Sequence, residues 1–223
     1  MDALKIVLVG DAGVGKTSIT YWLLKNKQYT DNCETIGAAF STKEISMPIN
    51  KAGIDYETKI KFNIWDTAGQ EKYRSIAKIY YKNTVGCLCV FDLTNRDSFL
   101  HMDRWLNDYR ENSMSYESVE TNFDNIIIIV ANKSDYPESK WAVTRNDIKN
   151  FAAKHKCLFT FTNCITGEGV HEAFSIMAKT IIDKTGLPAY AKPYTIAIEK
   201  ESNGIITNLT NRVPLIPKRG CAC

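Results

Sequence analysis

Short apolar runs alternate with longer amphipathic segments along the first 184 residues of the chain. Leu4–Val9, Val85–Phe91 and Ile126–Ala131 are mostly apolar, as expected of strands buried on both faces of a parallel sheet. Two further β-rich runs, Phe40–Met47 and Lys59–Trp65, are separated by a turn segment that contains Pro and Gly, and they predict a β-hairpin. This alternation predicts an α/β fold with a doubly wound sheet.

Helical spacing is found in the segments between these strands. Helices are predicted over Lys16–Lys25, Asp97–Arg110, Arg145–Lys156 and Gly169–Lys184. The polar, Ser-containing stretch Asn112–Asn125 predicts a surface insertion. After residue 184 the periodicity stops, and scattered Gly and Pro residues indicate a flexible tail. We therefore predict one domain over residues 1–184 and a tail over residues 185–223.

Composition and charge exclude several other classes of protein. Hydrophobic residues make up 44% and charged residues 24% of the chain, which is globular composition and argues against disorder throughout. The 28 basic and 25 acidic residues leave a net charge of +3, too balanced to indicate a nucleic-acid partner. No apolar run approaches the ~20 residues of a membrane span, and the N-terminus lacks the pattern of a secretory signal. The 7 cysteines form no CxxC pair, so the sequence predicts a cytosol-facing protein.

A glycine-rich motif follows the first predicted strand. Gly10–Thr17 has the sequence GDAGVGKT, which fits GxxxxGK[ST] between a strand and a helix. Such glycines let backbone N–H groups surround phosphate oxygens, and the helix N-terminus adds a favourable field. Lys16 is placed to reach the β- and γ-phosphates, and Thr17 to offer its hydroxyl to Mg²⁺. The predicted phosphate-binding residues are Asp11, Ala12, Gly13, Val14, Gly15, Lys16, Thr17 and Ser18.

The segment after the second hairpin strand carries a further polar motif, Asp-Thr-Ala-Gly-Gln over residues 66–70. Asp66 is placed to hold Mg²⁺ through a water. Gly69 has no side chain to prevent its N–H from turning toward a γ-phosphate. Gln70 is a candidate to orient an attacking water, and Thr35, between the phosphate loop and the hairpin, is placed to complete the Mg²⁺ shell.

A motif after the strand Ile126–Ala131 concerns the base. Asn132-Lys133-Ser134-Asp135 follows this strand directly. A carboxylate such as that of Asp135 accepts hydrogen bonds from the N1–H and the 2-amino group of guanine, whereas adenine offers no such paired donors. The sequence therefore predicts a guanine nucleotide.

Together these motifs resemble those of the Ras-like small GTPases and, within them, the Rab family. The resemblance covers Leu4 to Lys184, and its Rab-like segments are Ile36–Phe40, Tyr73–Ile76, Tyr80–Tyr81 and Cys89–Asn95. It implies a P-loop NTPase fold, the Ras-like G domain, with a six-stranded, mostly parallel sheet and one antiparallel edge hairpin. It also implies a GTP/GDP switch that hydrolyses GTP slowly, uses Mg²⁺ and recruits effectors to membranes in vesicle trafficking. Thr35–Phe40 is similar to the endosomal Rab subgroup.

The resemblance assigns roles to individual residues. Gln70 and Lys16 would be catalytic, and the ligands of Mg²⁺ would be Thr17, Thr35 and Asp66. Nucleotide-binding residues outside the phosphate loop would be Tyr29, Thr35, Gly69, Asn132, Lys133, Asp135, Asn163, Cys164 and Ile165. Effector-binding residues would be Ile36, Gly37, Phe40, Trp65 and Tyr80, although the three aromatic rings among them are equally compatible with a place in the core.

The last residues, Cys221-Ala222-Cys223, resemble the double geranylgeranylation signal of Rabs. Two lipids anchor a protein more stably than one. The partners implied are a GTPase-activating protein, an exchange factor, a GDP-dissociation inhibitor, a Rab escort protein with geranylgeranyl transferase, and effectors, with no nucleic acid. The implied location is the cytoplasmic face of endomembranes, endosomes being one option, in exchange with the cytosol.

Three positions depart from the family pattern. Asn163-Cys164-Ile165 replaces Ser-Ala-Lys, so Cys164 still offers a backbone N–H but Ile165 lacks the polar group of the lysine. The aromatic Tyr29 lies one residue later than usual, and either the loop shifts to cover the base or the base is more exposed. Ala12 replaces the glycine of Ras. The departures leave open an alternative, a nucleotide-dependent scaffold with negligible hydrolysis, and less favoured still is a P-loop kinase. The three histidines are predicted to be surface or satisfied helix residues.

Overall fold

The computed structural model describes residues 3–31, 34–51, 54–70, 74–113, 126–185 and 192–193. The main strands in this part of the chain are β1 (Leu4–Val9), β2 (Ala38–Lys51), β3 (Ile54–Thr67), β4 (Gly86–Asp92), β5 (Ile126–Asn132) and β6 (Leu158–Thr162). They form one sheet in the order β2-β3-β1-β4-β5-β6. All neighbours are parallel except the edge hairpin β2–β3. The predicted six-stranded, mostly parallel sheet with one antiparallel hairpin is confirmed.

Helices cover both faces of the sheet. Their bounds are α1 (Lys16–Lys25), α2 (Arg74–Tyr81), α3 (Arg96–Leu100), α4 (Met102–Ser113), α5 (Arg145–His155) and α6 (Val170–Thr185), with a short 3₁₀ turn at Glu138–Lys140. Alternate residues of β1 point to opposite faces, as the pleat requires. Ile6 and Leu8 pack with α1 and α6 in one apolar cluster, while Val7 and Val9 join α4 and α5 in the other. The doubly wound arrangement is thus built on two buried layers.

The segment predicted as one helix over Asp97–Arg110 is two helices that meet at His101, so this prediction is wrong. Asn95 ends the preceding turn and accepts hydrogen bonds from the backbone N–H groups of Asp97 and Ser98, which begins α3. The apolar spacing continues across the junction, and periodicity alone therefore does not reveal it. At the junction the His101 ring lies 2.7 Å from the Asp11 carboxylate.

The hairpin is longer than its sequence pattern predicts. Pro48 pairs with Glu57, although a turn was expected there. Proline is tolerated because β2 is an edge strand that needs no hydrogen bond on its outer side. Within the predicted tail, Lys192–Pro193 forms a short strand, β7, antiparallel to β3. The rest of that tail and most of the Asn112–Asn125 insertion lie outside the described residues.

A capping box begins α5. The Thr144 hydroxyl accepts a hydrogen bond from the backbone N–H of Asp147 at 3.1 Å, and the Asp147 carboxylate accepts one from the backbone N–H of Thr144 at 3.1 Å. Arg96 also donates to Asp147, and together these hydrogen bonds hold the pKa of that carboxyl below its usual value. Two otherwise unpaired N–H groups of the helix end are satisfied in this way.

Thr144→Ala should lower the free energy of unfolding by about 1 kcal/mol, because the cap hydroxyl is lost. Urea denaturation at saturating nucleotide measures this change. Thr144→Ser keeps a hydroxyl and should retain most of the stability. Equal stability of the alanine variant and the parent would contradict the capping role.

Candidate functional site

The predicted motifs meet at one edge of the sheet. Each follows the carboxyl end of a parallel strand: the glycine-rich loop follows β1, Ala68–Gln70 follows β3, and the Asn132 and Asn163 segments follow β5 and β6. This edge is where ligands bind in open α/β sheets, at the point where the strand order reverses. In this sheet that point lies beside β1.

The glycine-rich loop is shaped by close backbone contacts. Gly10 has a φ of 141°, and a β-carbon there would run into the carbonyl oxygen of Val90. Gly15 has a φ of 100°, and a β-carbon there would run into the side-chain amide of Asn132. No other residue type fits either position without strain.

Lys16, at the start of α1, is almost fully buried. Its ammonium donates to the carbonyl oxygens of Gly10 and Asp11, both at 2.8 Å. Burial lowers its pKa to about 8, although the carboxylates of Asp66 and Asp11 act in the opposite direction. A buried ammonium whose lost hydration is incompletely replaced is well suited to receive an anion.

A cavity of about 340 Å³ opens beside this loop. It is bordered by the loop, by the start of α1 and by the segments that precede β2 and follow β3. The lining residues are Ala12, Gly13, Gly15, Lys16, Thr17, Ser18, Tyr29, Asp31, Glu34, Thr35, Thr67, Gly69 and Gln70.

Three oxygen-bearing side chains meet beside the cavity, and two of them, Thr17 and Thr35, line it. The Thr17 hydroxyl donates to Asp66 Oδ2 at 2.6 Å, so the Thr35 hydroxyl, 2.7 Å away, donates to Thr17. Asp66 Oδ1 is buried and has no hydrogen-bond partner among the described residues. Burial raises the pKa of Asp66, while Thr17 and the Lys16 charge oppose that shift. A buried carboxylate with one unpaired oxygen, next to two hydroxyls, has the chemistry that Mg²⁺ prefers.

The segment after β3 lies against the phosphate loop. A β-carbon at Gly69 would overlap the backbone of Asp11 and Ala12, so only glycine allows this approach. The next residue, Gln70, donates through its side-chain amide to the carboxylate of Glu34. Residues 71–73 lie outside the described part of the chain.

Asn132 connects the loops at the other end of the site. Its amide nitrogen donates to the carbonyl oxygen of Val14 at 2.8 Å. Its amide oxygen accepts from the Thr162 hydroxyl at 2.8 Å and from the Cys164 thiol at 3.4 Å. Because the residue is 1% exposed, these bonds form in a buried setting and fix three loops relative to one another.

The two charged residues of this motif, Lys133 and Asp135, differ in their surroundings. Lys133 has a φ of 67°, and its ammonium pairs with Asp92 Oδ2 at 2.6 Å. Asp135 is exposed. Burial raises the pKa of Cys164 to about 11, the hydrogen bond to Asn132 opposes that shift, and the Asp135 charge adds to it.

Asn163 shapes the loop after β6. Its side-chain oxygen accepts from the backbone N–H groups of Ile165 at 2.8 Å and Thr166 at 3.1 Å. This Asx turn holds the loop while Ile165 stays 54% exposed. Tyr29, the aromatic residue one position late, packs on Tyr21 with ring centroids 5.1 Å apart and lines the cavity.

The aromatic residues predicted for effector binding form one contiguous surface. The Phe40 and Trp65 rings are 5.2 Å apart, and Trp65 stacks on Tyr80 at 4.9 Å. Phe40 is 56% exposed and Ile36 is 79% exposed, while Trp65 also contacts the core. Gly37 has a φ of 73°, and its carbonyl oxygen accepts from the N–H of Ala68 at 2.8 Å.

Comparison with known proteins places this site in a family. Residues 5–183 match the Ras family. The chain is 37% identical over 204 residues to a probable Rab-related GTPase of Acanthamoeba polyphaga mimivirus, covering 92% of this chain and 88% of that protein. It is 32% identical over 216 residues to Ras-related protein Rab11D of Nicotiana tabacum (97% and 87% covered). It is 39% identical over 171 residues to Ras-related protein Rab-11B of Dictyostelium discoideum (77% and 70% covered).

The chain belongs to the Ras family, within its Rab group. As a Rab-like small GTPase it is a GTP hydrolase and a GTP/GDP switch of the Rab trafficking type. It binds guanine nucleotide, and Rab membership implies the usual regulators and effectors. Rab proteins generally associate with endomembranes and cycle with the cytosol. In the described part of this Rab no helix has the length and apolarity to cross a membrane.

Two residues beside the phosphate loop of this Rab carry no signal in the sequence that would indicate their position. The Trp105 indole N–H donates to Asp11 Oδ1 at 2.6 Å, and His101 Nδ1 lies 2.7 Å from Asp11 Oδ2. Neither residue belongs to a motif, and both are about ninety positions from Asp11 along the chain. Only the tertiary structure brings them together. The predicted lipidation residues, Cys221 and Cys223, lie outside the described residues.

Proposed function

We propose that the cavity beside the phosphate loop binds GTP or GDP with Mg²⁺, and that loss of the γ-phosphate releases the segments that contain Thr35 and Gly69. The observation that carries this proposal is the run of hydrogen bonds from the Thr35 hydroxyl to the Thr17 hydroxyl and on to Asp66, whose second oxygen is buried and has no partner among the described residues. Thr35, from the segment before β2, and Asp66, at the end of β3, thus both meet the phosphate loop at Thr17. A γ-phosphate bound there would hold the two segments together.

At the phosphate end, the N–H groups of Gly13, Gly15 and Lys16 would surround phosphate oxygens, and the Lys16 ammonium would reach the β- and γ-phosphates. Thr17, Thr35 and Asp66 would hold Mg²⁺, with Asp66 acting through a water. Mg²⁺ supplies charge neutralisation of the phosphate oxygens. The Gly69 N–H would donate to the γ-phosphate, because its backbone already lies against the loop.

At the base end, Asp135 would accept from the N1–H and 2-amino group of guanine, and the Cys164 N–H would donate to the base. Asn163 would act by shaping its loop through the two N–H groups it holds. Lys133 and Tyr29 would border the base and ribose. Ile165 would contribute apolar contact in place of the usual lysine.

Hydrolysis would depend on Gln70. Its amide nitrogen donates to Glu34, so its carbonyl oxygen is the group left to accept a hydrogen from the attacking water. Unassisted turnover of this type is slow, and an arginine supplied in trans accelerates it by about 10³–10⁵. We therefore propose an external GTPase-activating protein as a partner.

The remaining partners follow from the surface and the tail. Effectors would bind the surface formed by Ile36, Gly37, Phe40, Trp65 and Tyr80 in its ordered form. Cys221 and Cys223 would each carry a geranylgeranyl group, which needs an escort protein with its transferase and a GDP-dissociation inhibitor for extraction. We propose the cytoplasmic face of endosomes as the location, supported by the segment Thr35–Phe40.

The test is the nucleotide carried by the purified protein, followed by release of γ-phosphate in a single turnover. We expect bound GDP, slow hydrolysis of loaded GTP, and faster GDP release when EDTA removes Mg²⁺. EGTA, which binds Mg²⁺ weakly, is the matched control. Bound adenine nucleotide would contradict the role of Asp135, release that is insensitive to EDTA would contradict the metal ligands, and bound GTP that is never hydrolysed would favour the scaffold.

A further inference from the structure

The side chain of Asp11 in the phosphate loop is held from outside the loop. Trp105 of α4 donates its indole N–H to Asp11 Oδ1 at 2.6 Å. His101, at the junction of α3 and α4, lies 2.7 Å from Asp11 Oδ2 through Nδ1. Since a carboxylate accepts only, Nδ1 carries the hydrogen. Both carboxylate oxygens are therefore directed toward the α3–α4 junction.

The backbone of the same residue contacts two candidate functional groups. The carbonyl oxygen of Asp11 accepts from the Lys16 ammonium at 2.8 Å. Gly69 approaches so closely that a β-carbon there would overlap this carbonyl. A change in the orientation of Asp11 would therefore move the acceptor of Lys16 and the surface against which Gly69 lies.

The charge of Asp11 makes its orientation important. A carboxylate beside a phosphate-binding loop repels the phosphates, and more so in a site that excludes water. In this structure the charge is turned toward two N–H donors. Neither Asp11 nor either of its two donors is among the described residues that line the cavity.

We propose that Trp105 and His101 are positioning residues for nucleotide binding: they clamp the Asp11 carboxylate away from the phosphates and thereby fix the phosphate loop. This clamp rests on the proposed function of the cavity. Trp105 is 5% exposed and supplies the rigid donor, while His101 is exposed and supplies the second. The break between α3 and α4 places the His101 ring at the loop.

Loss of either donor should accelerate GDP release by about fivefold to tenfold, which is less than the full effect of one hydrogen bond to a charged group because the donors act on the nucleotide only through Asp11. The variants are Trp105→Phe, which keeps a ring but removes the N–H, and His101→Leu. His101→Asn places an amide N–H near the position of Nδ1 and should restore release to near the parent rate. Release is measured from the polarisation of a fluorescently labelled GDP under direct excitation.

Matched controls lie elsewhere in the chain. Trp141→Phe removes an indole hydrogen bond of 2.7 Å to the carbonyl oxygen of Tyr136, and His171→Leu removes a ring nitrogen 2.9 Å from Asn26 Oδ1. Both should release GDP at the parent rate.

Parent-like release from both Trp105→Phe and His101→Leu would overturn the clamp. A His101→Asn variant as fast as His101→Leu would also overturn it, since that result indicates a general structural defect. If the parent protein itself did not bind labelled GDP, that result would contradict both the proposed function of the cavity and the clamp.

Discussion

Asp135→Asn is expected to lower the affinity for GDP by roughly 10²-fold or more. The proposed carboxylate accepts two hydrogen bonds from guanine, and each hydrogen bond to a charged group contributes about 1.5–3 kcal/mol. Asparagine keeps the size but replaces one acceptor oxygen with a donor. That donor would face the N–H groups of guanine and leave them unpaired.

The same substitution should improve binding of xanthosine diphosphate, whose base carries a carbonyl in place of the 2-amino group. Competition against labelled GDP, with both diphosphates, measures the two changes in one titration. Asp183→Asn, on an exposed aspartate of α6, is the matched control and should alter neither affinity. A loss of affinity that is equal for both diphosphates would contradict a role of Asp135 in reading the base.

Gln70→Leu should slow single-turnover GTP hydrolysis by about 10²-fold, at the lower end of what a positioned acid–base group contributes. Leucine is similar in size but has no oxygen to accept a hydrogen from the attacking water. It also removes the amide that donates to Glu34. GDP affinity should stay close to that of the parent, because the proposed contacts of the diphosphate do not involve this side chain.

Hydrolysis is followed as phosphate released from preloaded GTP. Gln28→Leu, on an exposed glutamine before Tyr29, is the matched control and should hydrolyse GTP at the parent rate. If the Gln70 variant kept the parent rate, the glutamine would have no part in the reaction and another group would have to orient the water.

Much of the site was predictable because function in a doubly wound sheet is tied to position along the chain. Thr17, Asp66 and Asn132 each lie beside the carboxyl end of a strand or the helix that follows it, and the topology brings those ends together. Local signals, such as glycines and a carboxylate after an apolar run, therefore suffice to locate them. The alternation of apolar runs predicted the doubly wound sheet, while its six strands were implied by the family resemblance.

Other features depend on contacts between segments far apart in sequence. The pairing of His101 with Asp11 spans 90 positions, and no periodicity indicates it. The junction of α3 and α4 was missed for the same reason, since the apolar spacing continues through it. Asn163 was predicted as a nucleotide-binding residue because of its place in a motif, while its observed bonds are to the backbone of its own loop.

The buried amide of Asn132 has a consequence for nucleotide exchange. This amide donates to the Val14 carbonyl of the phosphate loop and accepts from Thr162, which directly precedes the loop that begins at Asn163. Neither loop therefore moves without straining a bond to the other. In the proposed site, affinity for the phosphates and affinity for the base would therefore be cooperative, and this coupling would act equally in both directions. An exchange factor that distorts only the phosphate loop would therefore also lower the affinity for guanine, although it does not contact the base.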